Sequence, residues 1–294
     1  MRRPAKLQLL FVCSTLIACG DSERRISAPV VTDPAVQRIV TLSPHLAELV
    51  FAVGAGELLA GVSAYTDYPA AAADLPVIGD AFNVDQERLT LLEPDLLLAW
   101  DSGTPAHVVD DLRTRGFRIE VIATAGLVDV PLALRQIGRL TGHEQDADRV
   151  ASVFEHDVEM LAANALGTSS ISVFYQVDAR PLYTINGDHY VSELISLCGG
   201  NNIFADLDGL APLVSVEAVL ERDPEVIMAS SDAGPDAFVE WDRWTDLAAN
   251  RYQNRFLMPA NEIGRATPRL LVAAGAVCKA LASSRENREA RMND

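Results

Sequence analysis

One pattern occurs twice, 130 residues apart, and it restricts the chain to a fold with two related halves. The first copy runs Glu87-Arg88-Leu89-Thr90-Leu91-Leu92-Glu93-Pro94-Asp95-Leu96-Leu97-Leu98-Ala99. The second runs Glu217-Ala218-Val219-Leu220-Glu221-Arg222-Asp223-Pro224-Glu225-Val226-Ile227-Met228-Ala229. In each, an acidic residue leads a short helix, a proline seven residues later stops it, and a run of apolar residues follows as a strand. Such a connection belongs inside an α/β sheet. The residues therefore predict two α/β lobes in which Glu87 and Glu217 occupy equivalent places, a pair of acidic knobs suited to docking on a partner.

The start of the chain has the composition of a leader. Arg2, Arg3 and Lys6 form a basic region, and Leu9 to Ala18 an apolar run too short to span a bilayer. Residues 1–18 are thus expected to be a signal peptide ending in the lipobox-like Leu16-Ile17-Ala18-Cys19; an ordinary secretory signal cut elsewhere is the alternative. Lipidation of Cys19 would anchor the protein to a membrane without spanning it. Residues 19–36 then read as a flexible tether. Loss of Arg2, Arg3 and Lys6 takes the formal charge from −17 to −20. That anionic surface argues against nucleic acid and anionic headgroups as partners. Of four cysteines, Cys198 and Cys278 remain outside the leader and lipobox. An exported compartment permits them to pair, and their spacing fits no metal-ligand pattern.

Residues 37–145 read as the first lobe. Strands are expected at 38–42, 59–63, 96–100 and 118–123, and helices at 46–53, 109–115 and 130–140. Residues 167–282 read as the second lobe, with strands at 171–177, 182–185, 226–229 and 256–258 and helices at 191–197 and 268–281. Between them, residues 146–166 place Ala147, Val150, Phe154, Val158, Leu161 and Ala165 on one stripe, predicting a single long bridging helix. The expected fold is two Rossmann-like α/β lobes joined by that helix, which resists large lobe closure. Residues 283–294, charged and poor in apolar side chains, read as a disordered tail.

Aromatic residues are scarce, so their positions carry weight. Tyr65 follows a strand, Trp100 closes one, and Tyr183 is their candidate counterpart in the second lobe. Ligands of open α/β sheets bind beyond strand ends, so the three together point to a flat or apolar ligand between the lobes. Trp241 and Trp244 read as packing residues. Five histidines form no metal-binding cluster; His45, just beyond the first strand, is the one placed to reach a ligand. No nucleophile elbow, phosphate loop or triad is present, so neither enzymatic activity nor a cofactor is expected.

Five segments complete the pattern in order: Arg38-Ile39-Val40-Thr41-Leu42-Ser43-Pro44, Tyr65-Thr66-Asp67-Tyr68-Pro69, Pro94-Asp95-Leu96, Leu197-Cys198-Gly199-Gly200-Asn201-Asn202-Ile203-Phe204 and Arg265-Ala266-Thr267-Pro268-Arg269. Together the chain from about residue 37 to 282 resembles the periplasmic cobalamin (vitamin B12) binding proteins of ABC transporters, within the iron-chelate/cobalamin substrate-binding superfamily. The resemblance implies a class III periplasmic binding protein, monomeric, with a corrinoid as transported ligand. It implies ligand roles for Tyr65, Trp100, Tyr183, Asn261 and Arg265, a disulfide between Cys198 and Cys278, and contacts of Glu87 and Glu217 with permease subunits. The family pattern carries Asp where Asn261 stands. It also carries tryptophans where this chain has Leu210-Ala211-Pro212 and the neighbourhood of Ala81-Phe82, which makes Phe82 a candidate ligand contact. These departures leave room for cobinamide, haem or a ferric siderophore, and a chelatase-like enzyme on the same architecture is the competing class. His45 has no counterpart in the family pattern; as a ligand contact it would make affinity fall below about pH 6.5.

Overall fold

In a computed structural model that describes residues 35–293, the duplicated pattern becomes two copies of one parallel sheet. The first half supplies β1 (Ile39–Thr41), α1 (Pro44–Ala52), β2 (Leu59–Gly61), α2 (Ala70–Ala73), α3 (Gln86–Leu92), β3 (Leu96–Trp100), α4 (Ala106–Thr114), β4 (Ile119–Ile122) and α5 (Asp129–Thr141). Helix α6 (Glu144–Ala165) follows. The second half supplies β5 (Ile171–Gln176), the hairpin strands β6 (Asp178–Ala179) and β7 (Leu182–Tyr183), α7 (Tyr190–Leu197), β8 (Gly200–Asn202), α8 (Val216–Arg222), β9 (Val226–Ser230), α9 (Ala248–Arg251), β10 (Arg255–Met258), α10 (Ala260–Ile263) and α11 (Leu270–Met292). The orders β2-β1-β3-β4 and β8-β5-β9-β10 are equivalent, and every pairing within them is parallel.

The equivalence extends to single atoms. Asp85 caps α3 by accepting the Arg88 N–H at 3.0 Å, and Ser215 caps α8 by accepting the Ala218 N–H at 3.2 Å. Each helix ends in an acidic residue with left-handed backbone, Glu93 at φ 44° and Asp223 at φ 39°, directly before the proline that prevents a further turn. The acid after that proline ties back to the start of a central strand. Asp95 Oδ2 accepts the N–H groups of Gln37 and Arg38 at 2.8 and 3.0 Å, and Glu225 Oε2 accepts that of Ser172 at 2.9 Å.

The lobes share one core. Apolar side chains run without a break from Ile39, Leu46 and Leu96 through Val130, Ala147 and Phe154 to Ile171, Tyr190, Val226 and Ala273. The opposite face of each sheet has its own smaller cluster, around Leu42, Leu89 and Leu97 in one lobe and Phe174, Phe204 and Trp241 in the other. Helix α6 lies on α5. A Cβ at Gly138 would come within 2.4 Å of the Ala147 Cβ, so only glycine permits this approach. Arg135 then joins the pair by bonding Asp148 at 2.9 Å and Glu155 at 2.6 and 2.9 Å. A junction built from core and ion pairs resists hinge motion far more than a loop would.

Two expectations change. Residues 182–185 are not a strand of the second sheet: Leu182–Tyr183 pairs antiparallel with Asp178–Ala179. The edge place goes to Gly200–Asn202, a sequence of low β-propensity held because Asn202 Nδ2 donates to Ile185 O at 2.9 Å and Ser192 Oγ at 2.7 Å. Residues 283–292 are not a disordered tail but the last turns of α11. Arg285 donates to the carbonyls of Ser169, Cys198 and Gly199, and Arg288 pairs with Glu225 at 2.8 Å. Its charges therefore serve strand-end carbonyls and one carboxylate of the lobe. Cys198 and Cys278 form a disulfide between the end of α7 and α11. The leader, Cys19 and the tether up to Pro34 lie outside the described residues. Among the described residues no helix is long and apolar enough to cross a membrane.

Candidate functional site: a cleft between the lobes

Strand β1 delivers the chain to Ser43, and Pro44 starts α1 where its missing N–H costs nothing. His45 is thereby turned inward and is only 5% exposed. Its Nδ1 lies 2.7 Å from Ser43 Oγ and its Nε2 lies 3.3 Å from Thr124 Oγ1. Its ring stands edge-on to Trp100. Burial, and then the nearby Arg265 charge, push its pKa down to about 3. Its depressed value moves any loss of affinity through His45 well below the pH of about 6.5 expected for an unperturbed ring.

His45, Trp100 and Thr124 of the first lobe meet Tyr190, Arg265 and Ala266 of the second around a cavity of about 160 Å³. Sites for drug-sized ligands run to roughly 300–1,000 Å³, so this cavity alone holds only part of such a ligand. The Trp100 Nε1–H is buried without a protein acceptor, an unmet donor at the ligand side of a strand end.

Beside this cavity an ionic network crosses between the lobes. Arg265 Nη1 donates to Glu48 Oε1 at 2.7 Å and to Asp67 Oδ1 at 2.5 Å, while Nη2 donates to the Tyr65 carbonyl at 3.1 Å. Thr267 Oγ1 donates to Glu48 Oε2 at 3.1 Å, and Arg269 pairs with Glu48 at 3.4 Å and with Glu262. The Arg269 guanidinium also covers the Tyr68 ring, 4.0 Å from its centroid. Partial burial opposes the Arg265 charge, but the bonds from Asp67 and Glu48 outweigh it and hold its pKa above the ordinary arginine value. Asp67 is likewise raised by burial and lowered more by Arg265, ending below the usual carboxylate range.

The structure brings His45, Trp100 and Arg265 to one cavity and links Asn261 to them through Asp67 Oδ2, at 3.2 Å. Tyr65 is 84% exposed at φ 66°, a left-handed conformation costly for a bulky residue that Arg265 supports through the Tyr65 carbonyl. Tyr183 and Phe82 are exposed and do not line the cavity. Tyr183 lies against the segment that reads Leu210-Ala211-Pro212, bridging to Leu213. Phe82 sits on a turn held by Asp80 Oδ1. Glu87 and Glu217 lie in the first turns of α3 and α8, both exposed. Trp241 is fully buried, donating to Gln176 Oε1 at 2.7 Å.

The sequence reading missed Glu48, Asp67, Thr124, Tyr190, Glu262 and Arg269. Glu48 had a signal: it is the only ionisable group in the apolar stretch Leu46 to Gly54, and a carboxylate on a buried helix needs a cation.

Residues 39–262 match the family of periplasmic binding proteins, well over half of the chain. The chain belongs to that family. Among the relatives of this periplasmic binding protein is the vitamin B12-binding protein of Vibrio parahaemolyticus, 32% identical over 263 residues that cover 89% of this chain and 95% of the relative. The vitamin B12-binding protein of Pectobacterium carotovorum is 34% identical over 249 residues, 83% and 88% of the two chains. The crystal structure of the periplasmic vitamin B12 binding protein BtuF of Vibrio cholerae superposes with a TM-score of 0.78 at 32% identity, covering 85% of this chain and 98% of that one. The periplasmic haem-binding protein HutB of Vibrio cholerae shares the fold, with a TM-score of 0.73 at 22% identity over 83% and 98% of the chains.

Proposed function

We propose that this protein captures cobalamin or a related corrinoid between its lobes and delivers it to an ABC importer without chemical change. The observation that carries the reading is identity of 32% along 95% of a vitamin B12-binding relative, against 22% for a haem-binding neighbour that shares the fold. The cavity is consistent with it, with Trp100, Tyr190 and Arg265 in its lining and with Tyr65 and Asn261 at the adjoining ionic network. Glu87 and Glu217 would meet basic pockets on the permease in charge-assisted pairs. The protein acts in the periplasm as a monomer, anchored through a lipid on Cys19.

Calorimetry and visible spectra with cobalamin, cobinamide, haem and a ferric siderophore test the cargo. Saturable binding of a corrinoid, with weak or no heat from haem and siderophore, is the expected result. Binding of haem alone would keep the fold and replace the cargo. Labelled palmitate incorporated by the wild type and not by Cys19→Ala would establish the anchor; a labelled variant would refute it.

A further inference from the structure

Three carboxylates, Glu48, Asp67 and Glu262, surround two guanidiniums, Arg265 and Arg269. The network as it stands has one negative charge too many to welcome an anion. Its members are not equally fixed. The Glu48 side chain is 2% exposed on a core helix and accepts from Arg265, Thr267 and Arg269. The Asp67 side chain is 51% exposed, on a loop that begins with the strained Tyr65. The Asp67 carboxylate lies between two donors of the opposite lobe, Arg265 Nη1 at 2.5 Å and Asn261 Nδ2 at 3.2 Å. That is the geometry by which two such side chains hold any small oxyanion.

We propose that Asp67 is a resident stand-in for an anionic group of the ligand, occupying the oxyanion position between Arg265 and Asn261, and that Glu48 is the positioning residue that keeps Arg265 aimed there when Asp67 swings out. This rests on the corrinoid reading above for the identity of the group, which is then the phosphodiester in the nucleotide tail of cobalamin. Displacing an exposed loop carboxylate costs little because water solvates it again. Without Glu48 the released guanidinium would have no fixed anchor across the cleft. Asp67 thus sets specificity as well: a ligand lacking an anion must leave it in place, and a ligand bearing one must outcompete it.

The test compares cobalamin with cobinamide, which lacks the phosphodiester, on the wild type, Asp67→Asn and Glu48→Gln. Asp67→Asn should raise the cobalamin-to-cobinamide affinity ratio about fivefold by removing the competing charge. Glu48→Gln also removes a negative charge beside Arg265 but loses its anchor, so it should raise the ratio less than Asp67→Asn does; a purely structural role would weaken both ligands alike and leave the ratio unmoved. Ratios unchanged in both variants overturn the proposal. If the wild type binds neither corrinoid, the cargo reading has failed and inorganic phosphate becomes the probe, followed through the Arg265 side-chain N–H signals in NMR spectra. A markedly lower phosphate midpoint in Asp67→Asn then supports the proposal, and equal midpoints overturn it.

Discussion

His45 stands edge-on to Trp100, with ring centroids 4.9 Å apart and 75° between the planes. The contact buries a titratable ring against an aromatic ring of the cavity lining, and its consequence is a pH dependence of stability. The folded pKa of about 3 lies below the ordinary 6.5, so the native state binds fewer protons than the unfolded chain between those values. Stability is complete above about pH 6.5 and is lost as the pH falls towards 3, at up to about 1.4 kcal/mol per pH unit. His189, lowered to about 4 by burial, adds a slope of the same sign. Urea unfolding at pH 7 and pH 5 should show His45 alone removing roughly 2 kcal/mol, with a shallower slope in His45→Gln. An identical slope in the variant would mean that the ring titrates normally.

Ligand affinity is expected to depend on Trp100. Trp100→Ala should weaken corrinoid binding by roughly 1–3 kcal/mol through lost apolar contact. Trp100→Phe keeps a ring while removing the unmet Nε1–H, so calorimetry on the two variants separates ring contact from hydrogen bonding. Equal affinities for wild type and Trp100→Ala would place the ligand elsewhere.

Uptake is expected to depend on Glu87 and Glu217 at the starts of the twin helices. Glu87→Ala/Glu217→Ala should reduce transport by about tenfold or more while ligand affinity stays unchanged. The main caps are Asp85 and Ser215, while the Glu217 carboxylate also accepts from its own N–H and from Ser215, so the variant's unfolding curve is compared with that of the wild type before uptake is read. Full transport by the double variant would remove the docking role.

The last turns of α11 hold the second lobe together. Arg288→Ala removes its bonds to Glu225, the Ser170 carbonyl and Ser169 Oγ and should cost about 1–3 kcal/mol in thermal or urea unfolding. A loss near zero would return this segment to the surface role that its charge density suggests.

The duplicated motif was legible in the sequence because proline and a buried aliphatic strand leave few conformations open. The ends of α11 and the edge strand β8 were not. Their order comes from side chains far away in sequence, Arg285 and Arg288 reaching strand-end carbonyls and Asn202 bonding Ile185 and Ser192, and local composition carries no trace of such partners. Trp100 was visible because large rings after strand ends are rare here, whereas Tyr190, at the start of α7, reads in sequence as an ordinary helix residue. The ionic members were hidden because Glu48 and Arg265 are 217 residues apart in sequence and acquire meaning only when the lobes meet.

The repeat that makes the two halves alike also shows where they stopped being alike. Strands β3 and β9 are equivalent, yet one ends in Trp100 and the other in Ser230. Outside, Glu87 and Glu217 keep equivalent places; inside, the first lobe gives His45 and Trp100 to the cavity and the second gives Tyr190 and Arg265. Exchanging the two lobes against a receptor of two like halves would leave the docking pair almost unchanged while reversing the cargo held between them. If the two glutamates dock as proposed, such a receptor would accept the protein in either of two opposed orientations, and its translocation path would meet the cargo from either side.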